Sequence, residues 1–236
     1  MKSSSIQHNL KKLAEEQGAD LFGIADLTSV QDYICDQGGE SLHHFSRAIS
    51  VGIRLLDSVV DKLCHHEDPF VVYAYTNLYT AINARLNDIT LLAAKRLQDD
   101  GYQAFPVPAA RPFESSLLVG VVSHKLVAHL AGLGWIGKSC LLITPKYGPR
   151  VRFSTILTDA PLKAGTPIHN GCKDCIECIR ICPVHAFTGK SFDPSDKRSV
   201  RYNAKLCDEY FYKRKDKLGE GLCGLCVYVC PYGRRK

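Results

Sequence analysis

Eight of the eleven cysteines lie between Gly171 and Pro231, at spacings that suit thiolate ligands of iron–sulfur clusters. The first group reads Cys172-x2-Cys175-x2-Cys178-x3-Cys182-Pro183. In such a run three thiolates wrap one 4Fe–4S cube. The fourth, set off by three residues and a helix-breaking proline, reaches a second cube. The second group is Cys207 and then Cys223-x2-Cys226-x3-Cys230-Pro231, the same ending with its leading cysteine moved upstream. The spacing therefore predicts one ligand set of Cys172, Cys175, Cys178 and Cys230, and another of Cys182, Cys207, Cys223 and Cys226. Exchanging the cysteine before each proline keeps the two clusters close.

Three other chemistries use cysteine. Two four-cysteine zinc sites would need the same number of ligands, but zinc sites pair separated C-x2-C knuckles, which the C-x2-C-x2-C-x3-C-P run is not. Disulfides belong to oxidising compartments, and Met1 to Gly18 is a polar amphipathic stretch without the apolar core of a secretory signal. The expected location is the cytoplasm. Burial of cysteine as a small hydrophobe explains Cys35, Cys64 and Cys140, which stand outside the two sets, better than it explains two matched tetrads. The pairs His43-His44 and His65-His66 are assigned no role, because adjacent side chains point in different directions.

The elements that position these ligands follow from composition and periodicity. A chain of 236 residues with 45% hydrophobic and 23% charged residues is that of a globular protein with room for one sizeable core and a small appended module. No apolar run is long enough to cross a bilayer, so no membrane partner is expected. The net charge of +6 gathers partly in Lys213-Arg214-Lys215 and Arg234-Arg235-Lys236. Such runs are usually solvated faces; they also suit an acidic redox carrier such as a ferredoxin or flavodoxin, or an RNA.

Short apolar strands are predicted at Ala19 to Ala25 and Arg47 to Leu55, with a polar connection from Gln31 to Phe45 turning at Gly38-Gly39. A long helix is predicted from Pro69 to about Asp100, where Val71, Tyr75, Leu78, Ile82, Leu86, Ile89, Ala93 and Leu97 recur in steps of three and four. Tyr73, Tyr75 and Tyr79 on it are read as packing residues. Further strands are expected at Gln103 to Val107, Leu141 to Thr144 and Val151 to Thr158, with a helix at Ser123 to Ala131 and a linker from Pro161 to Asn170. Interleaved helices and strands give an α+β fold. The domain boundaries are placed at 1–164 for an α/β domain and 165–236 for the cysteine module.

The segment Gly132-Leu133-Gly134-Trp135-Ile136-Gly137-Lys138-Ser139 formally matches both a phosphate-binding loop and a dinucleotide fingerprint. Both motifs need a strand before and a helix after, so that N–H groups and the helix dipole face phosphates. Here the predicted order is helix, then strand, and Trp135 would crowd the cradle. Two readings remain on residue chemistry. Either the glycines allow close approach of a flat, bulky ligand against the indole and Lys138, or they only form tight packing around a core tryptophan.

The combination of Ala131 to Lys138, Leu157-Thr158-Asp159 and the two-cluster cysteine pattern resembles the epoxyqueuosine reductase family. The resemblance covers about the second half of the chain, Ser123 to Pro231. It implies a cobalamin-binding, nitroreductase-like α/β sandwich domain followed by a ferredoxin-like module of two 4Fe–4S clusters. Gly132, Gly134, Trp135, Gly137 and Lys138 would line the corrinoid site. The family carries an acidic proton donor in a V-D-S-A-P-type stretch ahead of the Gly-rich loop. Here that stretch reads Val121-Val122-Ser123-His124-Lys125, which makes His124 the candidate donor, since imidazole titrates near neutral pH. The resemblance implies an iron–sulfur oxidoreductase that passes electrons from a small carrier through two clusters to cobalamin. The alternative is a non-catalytic electron carrier or activator of a separate corrinoid protein. A tRNA partner is what the family would add.

Overall fold

The computed structural model describes residues 2–110 and 118–234, which form two compact units. The first comprises Met1–Arg54, Ile82–Gly134 and Arg152–Ile168. The second comprises Leu55–Ala81, Trp135–Val151 and His169–Lys236. The cysteine module therefore does not stand alone as residues 165–236. Two earlier stretches of chain join it in that unit. Leu63, Val71, Val72, Tyr75, Ile136, Leu142 and Ile143 come from the added stretches and are buried, as are Leu225, Val227 and Val229 of the cysteine segment.

In the first unit four strands lie in the order Leu21–Asp26, Arg47–Arg54, Val151–Thr158, Ala104–Val107. The first pair and the last pair are antiparallel. All four were expected, with ends shifted by one or two residues or not at all. Val151–Thr158 is buried nearly throughout, as suits a central strand. Against the sheet lies a core that includes Leu27, Ile34, Phe45, Val107, Val127 and Leu157. Ile34 reports a miss in the sequence reading. The stretch read as a polar loop holds a helix, Gln31–Gly38, whose apolar face is too narrow to show as periodicity.

The long helix runs Pro69–Asp99. Every position of its predicted stripe is buried except Leu78, which is half-buried. Gly101 at φ +88° ends it, with Gly101 N–H on the Gln98 carbonyl at 3.0 Å and Tyr102 N–H on Leu97 at 3.0 Å. Among the described residues no helix is long and apolar enough to cross a membrane.

Candidate metal centre

Four of the eight cysteines surround one space. Cys172, Cys175, Cys178 and Cys230 line a small, partly open pocket, together with Lys138, Ser139, Ile143, Glu177 and Tyr232. The chain folds there because its turns are closed locally. Asn170 Oδ1 accepts from Cys172 N–H at 2.9 Å, Cys175 N–H bonds the Cys172 carbonyl at 2.9 Å, and a one-turn helix, Glu177–Arg180, carries Cys178 inward. Cys230 arrives from the end of the helix Leu225–Val229, where Pro231 starts a tight turn closed by Gly233 N–H on the Cys230 carbonyl at 3.0 Å.

Three of the other four gather around an apolar core. Cys182, Ala186 and Phe187 form a buried cluster against which Tyr202, Cys207 and Cys226 pack. Phe187 pairs with Tyr202 in an antiparallel bridge, and their rings stack at 5.3 Å. Asn203 then caps the helix Ala204–Leu218, accepting from Leu206 N–H at 3.2 Å, and this helix carries Cys207. Between Cys223 and Cys226, Gly224 takes φ +73°, and a Cβ there would stand 2.7 Å from both Leu63 and Tyr75. Only glycine allows that turn to lie so close.

The electrostatics divide along the same line. Burial, followed by the neighbouring Cys172, Cys230 and Cys175, pushes the Cys178 thiol up to about 11. Burial also pushes Cys230 up to about 11; the Tyr232 N–H opposes this, and Cys172 and Cys175 add to it. In the second group burial raises Cys223 to about 11, with the Leu225 N–H and the Arg214 charge opposing, and Cys207 and Cys182 adding. Cys226 is raised further by burial, then by Cys223, Cys207, Cys178 and Cys182. Cys178 is its neighbour from the first group, which marks where the two groups approach each other.

Such thiols cannot ionise without a cation among them, because buried like charges repel in a low dielectric. A bound metal reverses this and deprotonates its thiols outright. Among the described residues no three His, Cys, Asp or Glu side chains converge as a single metal ion requires. The C-x2-C-x2-C-x3-C-P spacing of the first group suits a cube better than a zinc ion. None of the eight is in a disulfide.

The Gly-rich segment is placed differently from a ligand-binding loop. Its residues 132–134 fall in the first unit and 135–138 in the second. Gly132, at φ +75°, has the Thr166 carbonyl where a Cβ would stand, at 2.5 Å. Gly134 lends its carbonyl to His129 Nδ1 at 2.9 Å. Trp135 is buried edge-on against Tyr232 with ring centroids 4.9 Å apart. Gly137 faces Ile143 and Cys172, and Lys138 Nζ donates to the Lys173 and Cys175 carbonyls at 2.7 and 3.3 Å. These groups make contacts within the chain's own packing and with the cysteine loop. A two-residue strand, Trp135–Ile136, pairs with Leu142–Ile143 inside the segment. The glycines had hidden it.

His124 opens the helix His124–Leu130 behind the cap Ser123. Its Nδ1 bonds Thr155 Oγ1 at 2.8 Å and its Nε2 the Pro108 carbonyl at 3.0 Å. Burial pushes it down to about 4, the Pro108 carbonyl opposes, and the Arg152 and Lys125 charges add. Both ring nitrogens are thus engaged by the chain's own groups, and burial favours the neutral ring. A stability effect follows. An unfolded histidine takes its proton near pH 6.5, whereas the folded one does so only near 4. Between those values the unfolded state binds more protons, so stability is lost as pH falls through that window. Denaturant unfolding at about pH 7 and about pH 5 will show this loss, and His124→Gln will make it shallower.

Sequence reasoning missed the buried arginines of the second unit. Arg150 meets Asp57 at 3.0 Å and Asp61 at 2.6 Å. Arg214 meets Glu67 at 3.0 Å and donates to the His66 carbonyl at 2.5 Å. Arg214 stood inside what looked like a solvated basic run, Lys213-Arg214-Lys215.

Comparison with known proteins bears on this geometry. A family described as the 4Fe-4S double cluster binding domain matches residues 171–233. The chain is 34% identical over 131 residues to epoxyqueuosine reductase of Listeria monocytogenes, covering 51% of this chain and 32% of that protein. It is 35% identical over 114 residues to the enzyme of Leadbetterella byssophila, covering 47% and 37%. The chain thus spans about a third of the length of these curated relatives. Among solved structures it resembles a catabolic reductive dehalogenase, NpRdhA, with TM-score 0.70 and 21% identity over 96% of this chain and 31% of that one. It also resembles an epoxyqueuosine reductase solved with a tRNA stem loop, with TM-score 0.64 and 17% identity over 98% and 66%. At those identities the structures show the fold alone, a mixed helix-and-sheet fold. The resemblance read from the sequence holds over about half of the chain, and the module is one of two iron–sulfur clusters.

Proposed function

We propose that the chain is an iron–sulfur reductase related to epoxyqueuosine reductase, in which Cys172, Cys175, Cys178 and Cys230 hold one 4Fe–4S cluster and Cys182, Cys207, Cys223 and Cys226 the other. The observation that supports this is geometric: Cys172, Cys175, Cys178 and Cys230 line one pocket, while Cys182, Cys207 and Cys226 pack together around Ala186 and Phe187. When bound, such clusters supply single-electron transfer. The chain's part is to bring the two ligand sets together at Cys178 and Cys226, to keep water from the second set with Phe187 and Tyr202, and to donate backbone N–H groups to sulfur. Ala186 N–H, for example, lies 3.3 Å from Cys182 Sγ. Donors of this kind stabilise the reduced, more anionic state.

A small carrier is the proposed electron source and a corrinoid the proposed acceptor. The resemblance supports both, and the fold likeness to the dehalogenase supports the second. Anaerobic reconstitution tests the reading: about eight iron and eight sulfide per chain, with broad visible absorption that bleaches on reduction, are expected. Zinc bound without sulfide would overturn it. Cobalamin added to the reduced protein should then change its corrinoid spectrum, and an unchanged spectrum removes the corrinoid from the reading.

A further inference from the structure

The end of the Gly-rich segment forms the tip of a hairpin. Gly137 N–H bonds the Leu141 carbonyl and Cys140 N–H the Gly137 carbonyl, both at 2.9 Å, between the paired Trp135–Ile136 and Leu142–Ile143. That tip presents Lys138 and Ser139 to the cavity walled by Cys172, Cys175, Cys178 and Cys230. Gly137 permits the approach, because a Cβ on it would stand 3.2 Å from Cys172 Sγ and 2.8 Å from Ile143.

Lys138 has a defined place there. Its ammonium holds two carbonyls of the Cys172 to Cys175 loop, at 2.7 and 3.3 Å. Among the described residues it meets no carboxylate within ion-pair distance. Carbonyl dipoles solvate a cation without neutralising it, so its charge remains to act on whatever fills the cavity. Four thiolates around a cluster make an anion, and reduction makes it more negative. A fixed positive charge at the wall favours that reduction, and more so in a low dielectric.

We infer that Lys138 is a positioning residue for the first cluster, fastening the Cys172 to Cys175 loop and raising that cluster's reduction potential by its charge. This rests on the two-cluster reading. It gives the Gly137-Lys138 end of the segment a redox task within the second unit.

The test is a potentiometric titration of the anaerobically reconstituted full chain, followed by electron paramagnetic resonance. The signal altered by Cys175→Ser identifies the first cluster. Lys138→Met is expected to lower the midpoint potential of that cluster and leave the other in place, and Lys138→Arg to restore most of the shift. If Lys138→Met binds only about half the wild-type iron, the loop was not held, and Lys138→Arg must restore the loading. Full loading with both potentials unchanged, a shift confined to the other cluster, or half loading that arginine does not restore would each overturn the inference. A wild-type chain that takes up no iron or sulfide fails earlier, and removes the reading beneath it.

Discussion

Replacing Cys178 and Cys230 together by alanine is expected to remove about four iron atoms per chain, whereas replacing Cys178 and Cys226 together removes about eight. The contrast is large because the variants differ at one position, and that position decides which set is struck twice. Cys230 lies nearest in sequence to Cys226, four residues away, yet it lines the cavity of Cys172, Cys175 and Cys178. Its thiol is crowded by Cys172 and Cys175, while that of Cys226 is crowded by Cys223, Cys207 and Cys182 besides Cys178. In the first variant both losses fall on one centre and the second keeps its four ligands. In the second variant each centre loses a ligand. Iron and sulfide analysis of the reconstituted proteins, with the resonance signals of the reduced state, measures the difference. Equal losses from the two variants would mean that Cys230 serves the same centre as Cys226.

Arg150→Met should destabilise the fold by about 3–5 kcal/mol, the range for removing one partner of a buried ion pair. Arg150 is the largest fully buried side chain, at 1% exposure. Its guanidinium meets Asp57, whose side chain is 13% exposed, and Asp61, which is largely in water. Methionine fills much of the volume but leaves the Asp57 carboxylate enclosed without its cation, and that term dominates. The Arg150 carbonyl also accepts from Leu55 N–H at 2.8 Å, and Gly233 lies against the side chain. The residue thus fastens three stretches of the second unit, including the turn that follows Cys230. Denaturant unfolding measures the loss, and faster release of iron from the first centre should accompany it. The double variant Arg150→Met with Asp57→Leu should recover part of the stability, since no buried charge is then left alone.

What the sequence made legible, and what it did not, follows from the range of the interactions involved. The long helix was readable because its stripe is local: residues three and four apart share a face whatever surrounds them. Gln31–Gly38 was not readable, since eight residues with one buried side chain, Ile34, carry too little pattern. The Gly-rich segment shows the same limit at a site. Its glycines left a ligand and close packing equally open, and the neighbours at the place of each missing Cβ include Thr166 at Gly132 and Cys172 at Gly137, which are remote in the chain. His124 was read from its place in a motif. The two groups that hold its ring, the Thr155 hydroxyl and the Pro108 carbonyl, come from other strands and their ends.

By itself the sequence determined the chemistry of the metal module, because ligand number and spacing are covalent properties of the chain. Eight cysteines at intervals that suit two clusters are present at the level of residue types and spacing. Tertiary structure decided which neighbours act on them. It placed Lys138 at the wall of one set, Arg214 beside Cys223 of the other, and Arg150 beneath the turn after Cys230. Charges act through space and their strength depends on burial, and neither distance nor burial exists until distant segments have packed.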